Sequence, residues 1–391
     1  MMPMREGRKR RAPALMPRWQ RKYVATDAGI SEWMRVQRAQ LLREYDLQPD
    51  SVRAAIAHCF GEPSQLMDAI EPLAALLDIG ADTARTLLIR LLQVKWIEEA
   101  FEPPQFDRPV FIIAAPRSGS NLLFEVTTRM AGIWSIGAES HAIFDGVLGH
   151  HASNPAFRSI RADATDATPA RIQRLKRLFA RQLRSADGDL LLDLPESRRP
   201  TSVRLVDKLP KNSFRVPFLD ACFPDARFVF LHREPRGNIS SIMEAWREGE
   251  RTGRFVTYRE LPDSSFRNWC LVLPPGWRAM TEAPLAERAA FQWGTANTTA
   301  LDDLGALPAE RWHALSYQDL VVNPVGTLNA LCDFIGVPFE MDRLQLADGK
   351  LKHSKTTVTP PDPNKWQKNA EDLERVMQSL EPIASRLMAL S

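Results

Sequence analysis

Pro109 to Arg129 reads PVFIIAAPRSGSNLLFEVTTR. Val110 to Ala115 is a run of β-branched and apolar residues with the length and composition of a buried parallel strand. It stops at Pro116 and passes through Arg117-Ser118-Gly119-Ser120-Asn121. Apolar residues then resume at helical spacing as Leu122, Leu123, Val126 and Met130. A strand, a tight turn of small polar residues and a helix together form an anion cradle. Backbone N–H groups of the turn and of the helix's first turn point at one spot, and the helix dipole adds partial positive charge there. Gly119 permits close backbone approach, Ser118 and Ser120 carry hydroxyls, and Arg117 offers a planar fork for oxyanions. The GK[ST] ending of a Walker A loop is missing, so there is no loop lysine and no Ser/Thr after it as a magnesium ligand. The plainer alternative is a serine-capped helix after a core strand, with Arg117 solvated.

Arg227 to Leu231 (RFVFL) predicts a second buried strand, ending at His232-Arg233-Glu234-Pro235-Arg236-Gly237. A helix expected from about Asn238 carries Ser240 and Ser241. An arginine at a strand's carboxyl end and a serine on the next helix can meet one small dianion from two sides. A third short strand, Val203 to Val206, leads into Asp207-Lys208-Leu209-Pro210-Lys211-Asn212. Strands alternating with helices predict an α/β fold, a P-loop-like parallel sheet flanked by helices with ligands at the strands' carboxyl ends.

These stretches together resemble the PAPS-dependent sulfotransferases, in particular the branch with the protein-tyrosine sulfotransferases and many bacterial members (PAPS is 3′-phosphoadenosine 5′-phosphosulfate). The similar segments are PRSGS, FVFLHREPRGNISS, DKLPKN, LSYQDLVVNP at Leu315 to Pro324 and LCDFIGVPFE at Leu331 to Glu340. They run in the family's order from Pro109 toward the C-terminus. The resemblance implies that the loop from Arg117 to Asn121 holds the 5′-phosphosulfate and that Arg233 and Ser241 hold the 3′-phosphate. It implies nucleotide contacts for Tyr317 and for Lys365-Trp366 in a late loop, and catalytic roles for Lys208 and Arg117. A catalytic glutamate lies near the position of Glu139 in such enzymes, with one residue of offset. His141 is the rival base, so the choice between Glu139 and His141 is open from sequence. Asn121 stands where many members have threonine.

The residues themselves also separate sulfuryl from phosphoryl transfer. A kinase needs a magnesium site, with a carboxylate at a strand end. Here that strand end is His232-Arg233, cationic where a Walker B aspartate would stand. A sulfuryl group carries one negative charge rather than two, so cationic side chains can serve its transfer without a metal. The expected function is therefore transfer of the sulfuryl group of PAPS to an acceptor hydroxyl, or less readily an amine, with release of PAP. A metal-dependent kinase on the same core and a non-catalytic protein binding PAP, another nucleotide or a protein partner are the alternatives.

Around this core, residues 1–30 form a basic tail expected to be disordered, its charge concentrated in Arg8-Lys9-Arg10-Arg11 and again in Arg18, Arg21 and Lys22. Residues 31–107 read as a helical appendage and linker, with apolar stripes after Asp50, Ser64 and Asp82 and the proline-rich FEPPQFD at its end. A homo-oligomer could form through that region. The resemblance implies a sulfotransferase domain over residues 108–391. The net charge of +3 is too small to argue for nucleic acid. No window approaches the apolar length a membrane span needs, and the basic run, followed by no apolar stretch, is not expected to be a secretory signal. Cys59, Cys222, Cys270 and Cys332 have no metal-ligand spacing and read as buried free thiols, which fits a cytoplasmic protein. Asn238-Ile-Ser and Asn297-Thr-Thr match the glycosylation sequon by chance. His150-His151 is expected to be solvent-exposed. Gly249 to Ala286, with Phe255, Tyr258, Trp269 and Trp277, is either a lid or an aromatic cluster under a long connection.

Overall fold

The computed structural model describes Ala81 and residues 102–390, apart from 151–156, 260, 262–267, 345, 347–350 and 352–363. The chain divides between Glu102 and Pro103 into two units. The basic tail, the helices expected over 31–100 and Cys59 lie outside the described residues, as does most of the late loop.

The second unit holds the strands Gln105–Phe106 (β1), Val110–Ile113 (β2), Ile133–Ser135 (β3), Arg184–Ser185 (β4), Ser202–Lys208 (β5), Arg227–His232 (β6), Val256–Arg259 (β7), Asn268–Cys270 (β8) and Trp312–Ser316 (β9). The main sheet runs β4-β3-β5-β2-β6-β9, with β1 also on β5. Every pairing in it is parallel except β3 with β4. The residues Gln105 and Phe106, expected in a linker, instead pair with Ser202 and Val203. Pro109 has no N–H for a ladder and Arg108 has φ 44°, so the chain kinks between β1 and β2.

β2 lies between β5 and β6 and all four of its residues are buried. Its side chains alternate between two layers. Val110 and Ile112 pack with Leu123, Phe124 and Val126 of Ser120–Thr127 (α1) and with Leu328 and Leu331 of Pro324–Ile335 (α8). Phe111 faces the other way, onto Phe223 and Phe228 at 5.4 and 6.0 Å. Burial of each such side chain is worth roughly 1.5–3 kcal/mol against exposure. That double coverage explains the unbroken apolar run.

The remaining helices are His141–Leu148 (α2), Pro169–Ala180 (α3), Val216–Cys222 (α4), Pro235–Thr252 (α5), Leu285–Gly305 (α6), Tyr317–Val322 (α7), Met341–Leu344 (α9) and Ala370–Met388 (α10). Thr168 caps α3, its side chain accepting from the Arg171 N–H, and Leu175 and Phe179 are buried on its inner side. α1 stops at Thr127 rather than reaching Met130, because the chain turns to left-handed Gly132 and into β3. α5 starts at Pro235, three residues before the expected Asn238. Glu234 accepts from the Gly237 N–H at its N-terminus, and proline suits a first turn whose N–H groups lack helical partners.

Within the aromatic segment after α5, Trp269 and Trp277 are core residues. Trp246 of α5, Trp269 and Trp277 stack edge to face in series, at 5.1 and 5.5 Å. Each indole N–H is satisfied, by Gln292 Oε1, the Val272 carbonyl and the Arg158 carbonyl respectively. Such pairs add about 0.5–1.5 kcal/mol beyond their buried area. Cys222, Cys270 and Cys332 are free and buried. His150 is half-buried against the expectation of exposure, since its Nδ1 lies 3.0 Å from Arg215 Nη2. Among the described residues no helix is long and apolar enough to cross a membrane.

Candidate active site

The loop between β2 and α1 is held from below. The Ser118 hydroxyl donates to the Ala115 carbonyl at 2.6 Å and sits 3.0 Å from Asn238 Oδ1, while Asn238 Nδ2 donates to the Pro116 carbonyl at 2.8 Å. Asn238 is wholly buried in α5. The Ser118 side chain therefore faces the fold, and what it can offer a ligand is its backbone N–H. Gly119 has φ 95° and caps α1. A Cβ built on it would come 2.6 Å from Tyr317 Cε2, so only glycine fits beneath that ring. Ser120 opens α1 and is buried.

Arg117 has φ 66°, unusual for a residue with a Cβ. Its guanidinium lies 5.0 Å from the Phe255 ring, and its Nε is buried without a hydrogen-bond partner. Burial, then the nearby charges of Arg254 and Arg233, lower its pKa from the ordinary value. Arg233 reaches the Arg117 carbonyl at 3.4 Å and stacks on Tyr317 at 4.6 Å. Tyr317 follows the last residue of β9, Ser316. It opens α7, where the Ser316 hydroxyl caps the N–H groups of Gln318 and Asp319.

The second cluster forms at the end of β5. The Lys208 ammonium donates to both Glu139 and Asn121 Oδ1, and Glu139 also bonds His141 Nε2 at 2.9 Å. Lys208 is 1 % exposed and Glu139 34 %. Burial pushes the Glu139 carboxyl up, but the His141 bond and the Lys208 charge outweigh it and hold it down at about 2. His141 lies in the first turn of α2, within bonding distance of Glu139. His232, at the end of β6, is buried, which lowers its pKa.

The residues assigned to the far end of a nucleotide are more spread. Ser241 is half-buried in α5, whereas Ser240 is buried and accepts from Asn369 at 2.8 Å. Lys365 pairs with Glu244 at 3.1 Å, and Trp366 lies under Arg236 at 5.6 Å. The structure thus joins Glu139, His141, Lys208 and Asn121 in one group and Arg117, Gly119, Arg233 and Tyr317 in another. Ser241 lies along α5, and Lys365 and Trp366 meet Glu244 and Arg236 of the same helix. Among the described residues no three His, Cys, Asp or Glu side chains gather to hold a metal ion.

The profile of the sulfotransferase family matches residues 109–341. The chain belongs to that family. Those limits take in the loop of β2, Glu139, Lys208, Arg233 and Tyr317, and stop short of Lys365. A search of curated protein sequences returns no match. Several sulfotransferases of solved structure are similar in fold. The sulfotransferase domain from the curacin biosynthetic pathway shares 20% identity, covering 69% of this chain and 98% of its own, with a TM-score of 0.36. Sulfotransferase STF9 from Mycobacterium avium shares 16% over 80% of this chain and 84% of its own, at 0.45. Mouse sulfotransferase SULT7A1, solved with PAP, shares 14% over 73% and 89%, at 0.34.

This sulfotransferase has a buried polar network that the linear sequence does not reveal. Asp145 of α2 accepts from Lys211 at 2.8 Å and lies 3.6 Å from Arg215, both cations being buried. Burial lowers Lys211 to about 8, against the pull of Asp145. Asp207 accepts from Asn212 at 3.0 Å, and burial raises its carboxyl to about 6. The network fastens α2, which carries His141, to the turn that follows Lys208. The only sequence signal for it is the polar density of DKLPKN.

Proposed function

We propose that this enzyme transfers the sulfuryl group of PAPS to an acceptor hydroxyl and releases PAP, using cationic side chains in place of a metal. The observation that carries the reading is the convergence of two devices at the carboxyl ends of neighbouring parallel strands. One is a glycine loop with a buried, unpartnered arginine nitrogen; the other is the Lys208–Glu139–His141 chain.

The residues fit PAPS. The Gly119 cradle under Tyr317, Arg117 and Asn121 suit the phosphosulfate, and Arg233 with Ser241 suits the 3′-phosphate. Lys365 and Trp366 are the basic and aromatic pair of the late loop. Bound there, PAPS supplies a sulfuryl group on a good leaving group. Glu139 accepts the proton of the acceptor hydroxyl, and His141 holds its other oxygen. At about 2, Glu139 is a weak base while it is bonded to Lys208. An anion at the loop competes for the Lys208 ammonium. Once that partner turns away, burial, the largest influence on Glu139, acts to raise its basicity.

Incubation with PAPS and a panel of hydroxyl compounds, in EDTA, tests this. The expected result is a product heavier by one SO₃ with PAP formed in equal amount. A strict magnesium requirement with ATP turnover would instead make it a kinase. Tight PAP binding with no turnover on any acceptor would make it a non-catalytic binder.

A further inference from the structure

Matching the cations around the site with their acids leaves a remainder. Glu139 neutralises Lys208, Asp145 serves Lys211 and Arg215, Glu244 serves Lys365 and Lys368, and Glu374 lies 3.7 Å from Arg236. Among the described residues no carboxylate forms an ion pair with Arg117, Arg233 or Arg254. Arg117 and Arg233 are matched by the two anionic ends of the nucleotide proposed above. Arg254 is left over.

Arg254 stands in the turn after α5, next to Phe255, and is exposed. Its guanidinium lies 4.9 Å from the Phe255 ring centre, and that of Arg117 lies 5.0 Å from the same ring. Both Phe255 (φ 68°) and Arg117 (φ 66°) are left-handed, a conformation that residues with a Cβ adopt only at an energetic cost. Two strained residues thus serve to gather two like charges on one ring, where repulsion alone would part them. Arg254 depresses the pKa of Arg117, and Glu139 acts on the same guanidinium in the opposite sense, so the patch shares the field of the Glu139 chamber. Glu248 feels Arg254 as well, but it is held by Arg251 through bonds of 2.7 and 2.9 Å. A half-exposed aromatic ring beside an unmatched guanidinium suits a molecule that has an apolar or aromatic body and a negative end.

We propose that Arg254 with Phe255 forms an acceptor subsite for a carboxylate, so that the enzyme selects hydroxyl compounds whose apolar body bears an acidic end. This inference rests on the sulfuryl-transfer reading for the fate of the hydroxyl, but the subsite can be measured without turnover.

The probes are 4-hydroxyphenyl alkanoates with one, two or three methylenes, their methyl esters, and tyramine as the cationic counterpart. Their binding to the full chain is followed by calorimetry with and without saturating PAP. For at least one chain length the acid should bind about tenfold or more tightly than its ester, the gain of a charge-assisted hydrogen bond. Arg254→Gln should remove that preference with little effect on PAP affinity, and Arg254→Lys should restore part of it. Rising salt should shrink it, since the guanidinium is exposed. The proposal is overturned if acids and esters bind alike at every length, if no acid binds at millimolar concentration, or if the preference survives Arg254→Gln. Acid preference without PAP binding or sulfated product would instead overturn the sulfuryl-transfer reading and leave the subsite standing.

Discussion

Replacing Glu139 with glutamine separates its two duties, as base and as partner of Lys208. The amide keeps the shape and can still accept from Lys208 and His141, but it cannot take a proton. A positioned base contributes ~10²–10⁴-fold, so single-turnover sulfuryl transfer should slow by about that factor while PAP affinity in calorimetry stays near wild type. Stability should fall as well, because Lys208 is 1 % exposed and would face a neutral group. Glu139 is 34 % exposed, so the loss should stay below the roughly 3–5 kcal/mol of a fully buried broken pair. The pH profiles carry the rest. The Glu139 carboxyl is held at about 2, below its ordinary 4.5. Its contribution to stability is therefore complete above 4.5 and lost as pH falls from there toward 2. For the same reason kcat/KM, which reports the free enzyme, should show no acid limb between pH 8 and 5. The limb in kcat should lie at higher pH, because in the complex Lys208 has turned toward the anion. His141→Asn should cost less than about tenfold. The reasoning is refuted if Glu139→Gln turns over like wild type, or if activity falls through about pH 6.5, the ordinary imidazole value, and His141→Asn abolishes it.

Arg233→Ala and Ser241→Ala should each weaken PAP binding by about 1.5–3 kcal/mol and leave adenosine 5′-phosphosulfate nearly unaffected; equal losses for both nucleotides in calorimetry would remove the 3′-phosphate assignment. Gly119→Ala places a Cβ against Tyr317 and forces a left-handed alanine costing about 1–2 kcal/mol, so melting temperature and PAP affinity should both drop. Adding Tyr317→Ala should relieve the collision but not the backbone cost, giving partial recovery of the melting temperature; wild-type behaviour of Gly119→Ala would contradict the cradle. Asp207, raised to about 6 from an ordinary 3.8, stabilises the fold most below 3.8 and loses that contribution as pH rises through 6. Between pH 7 and 5 the wild type should gain up to about 1.4 kcal/mol per unit relative to Asp207→Asn, and parallel denaturation curves would count against it.

The parts of this fold legible in the sequence are those whose physics is local. β2 and β6 are covered on both faces, so their apolar runs are continuous and their ends sharp. The loop at Gly119 and the arginine at Arg233 follow directly from those ends. Tyr317 reads as a strand end rather than a helix start because Ser316, a capping residue, also reads as a strand terminus. Trp269 and Trp277 cannot be assigned to lid or core from sequence, since both environments favour aromatics and only the stacking on Trp246 decides. The Lys208–Glu139 bond joins residues 69 apart, and the Asp145 pairing with Lys211 joins residues 66 apart. No periodicity carries such partnerships. The meeting of Arg117 with Arg254 on one ring is hidden for the same reason, compounded by two left-handed residues that no propensity favours.

The burial of Asn238 bears on how the protein can be made. Both sequons of the described chain lie inside it: Asn238 is 0 % exposed with its amide nitrogen on the Pro116 carbonyl, and Asn297 is 1 % exposed with its own on that of Trp293. Oligosaccharide is attached through that same nitrogen, which in the fold is buried and already bonded at both positions. A eukaryotic host that routes this chain through its endoplasmic reticulum and modifies Asn238 before folding would lock the anion loop open, and the yield of active enzyme would depend on how many chains escape the modification.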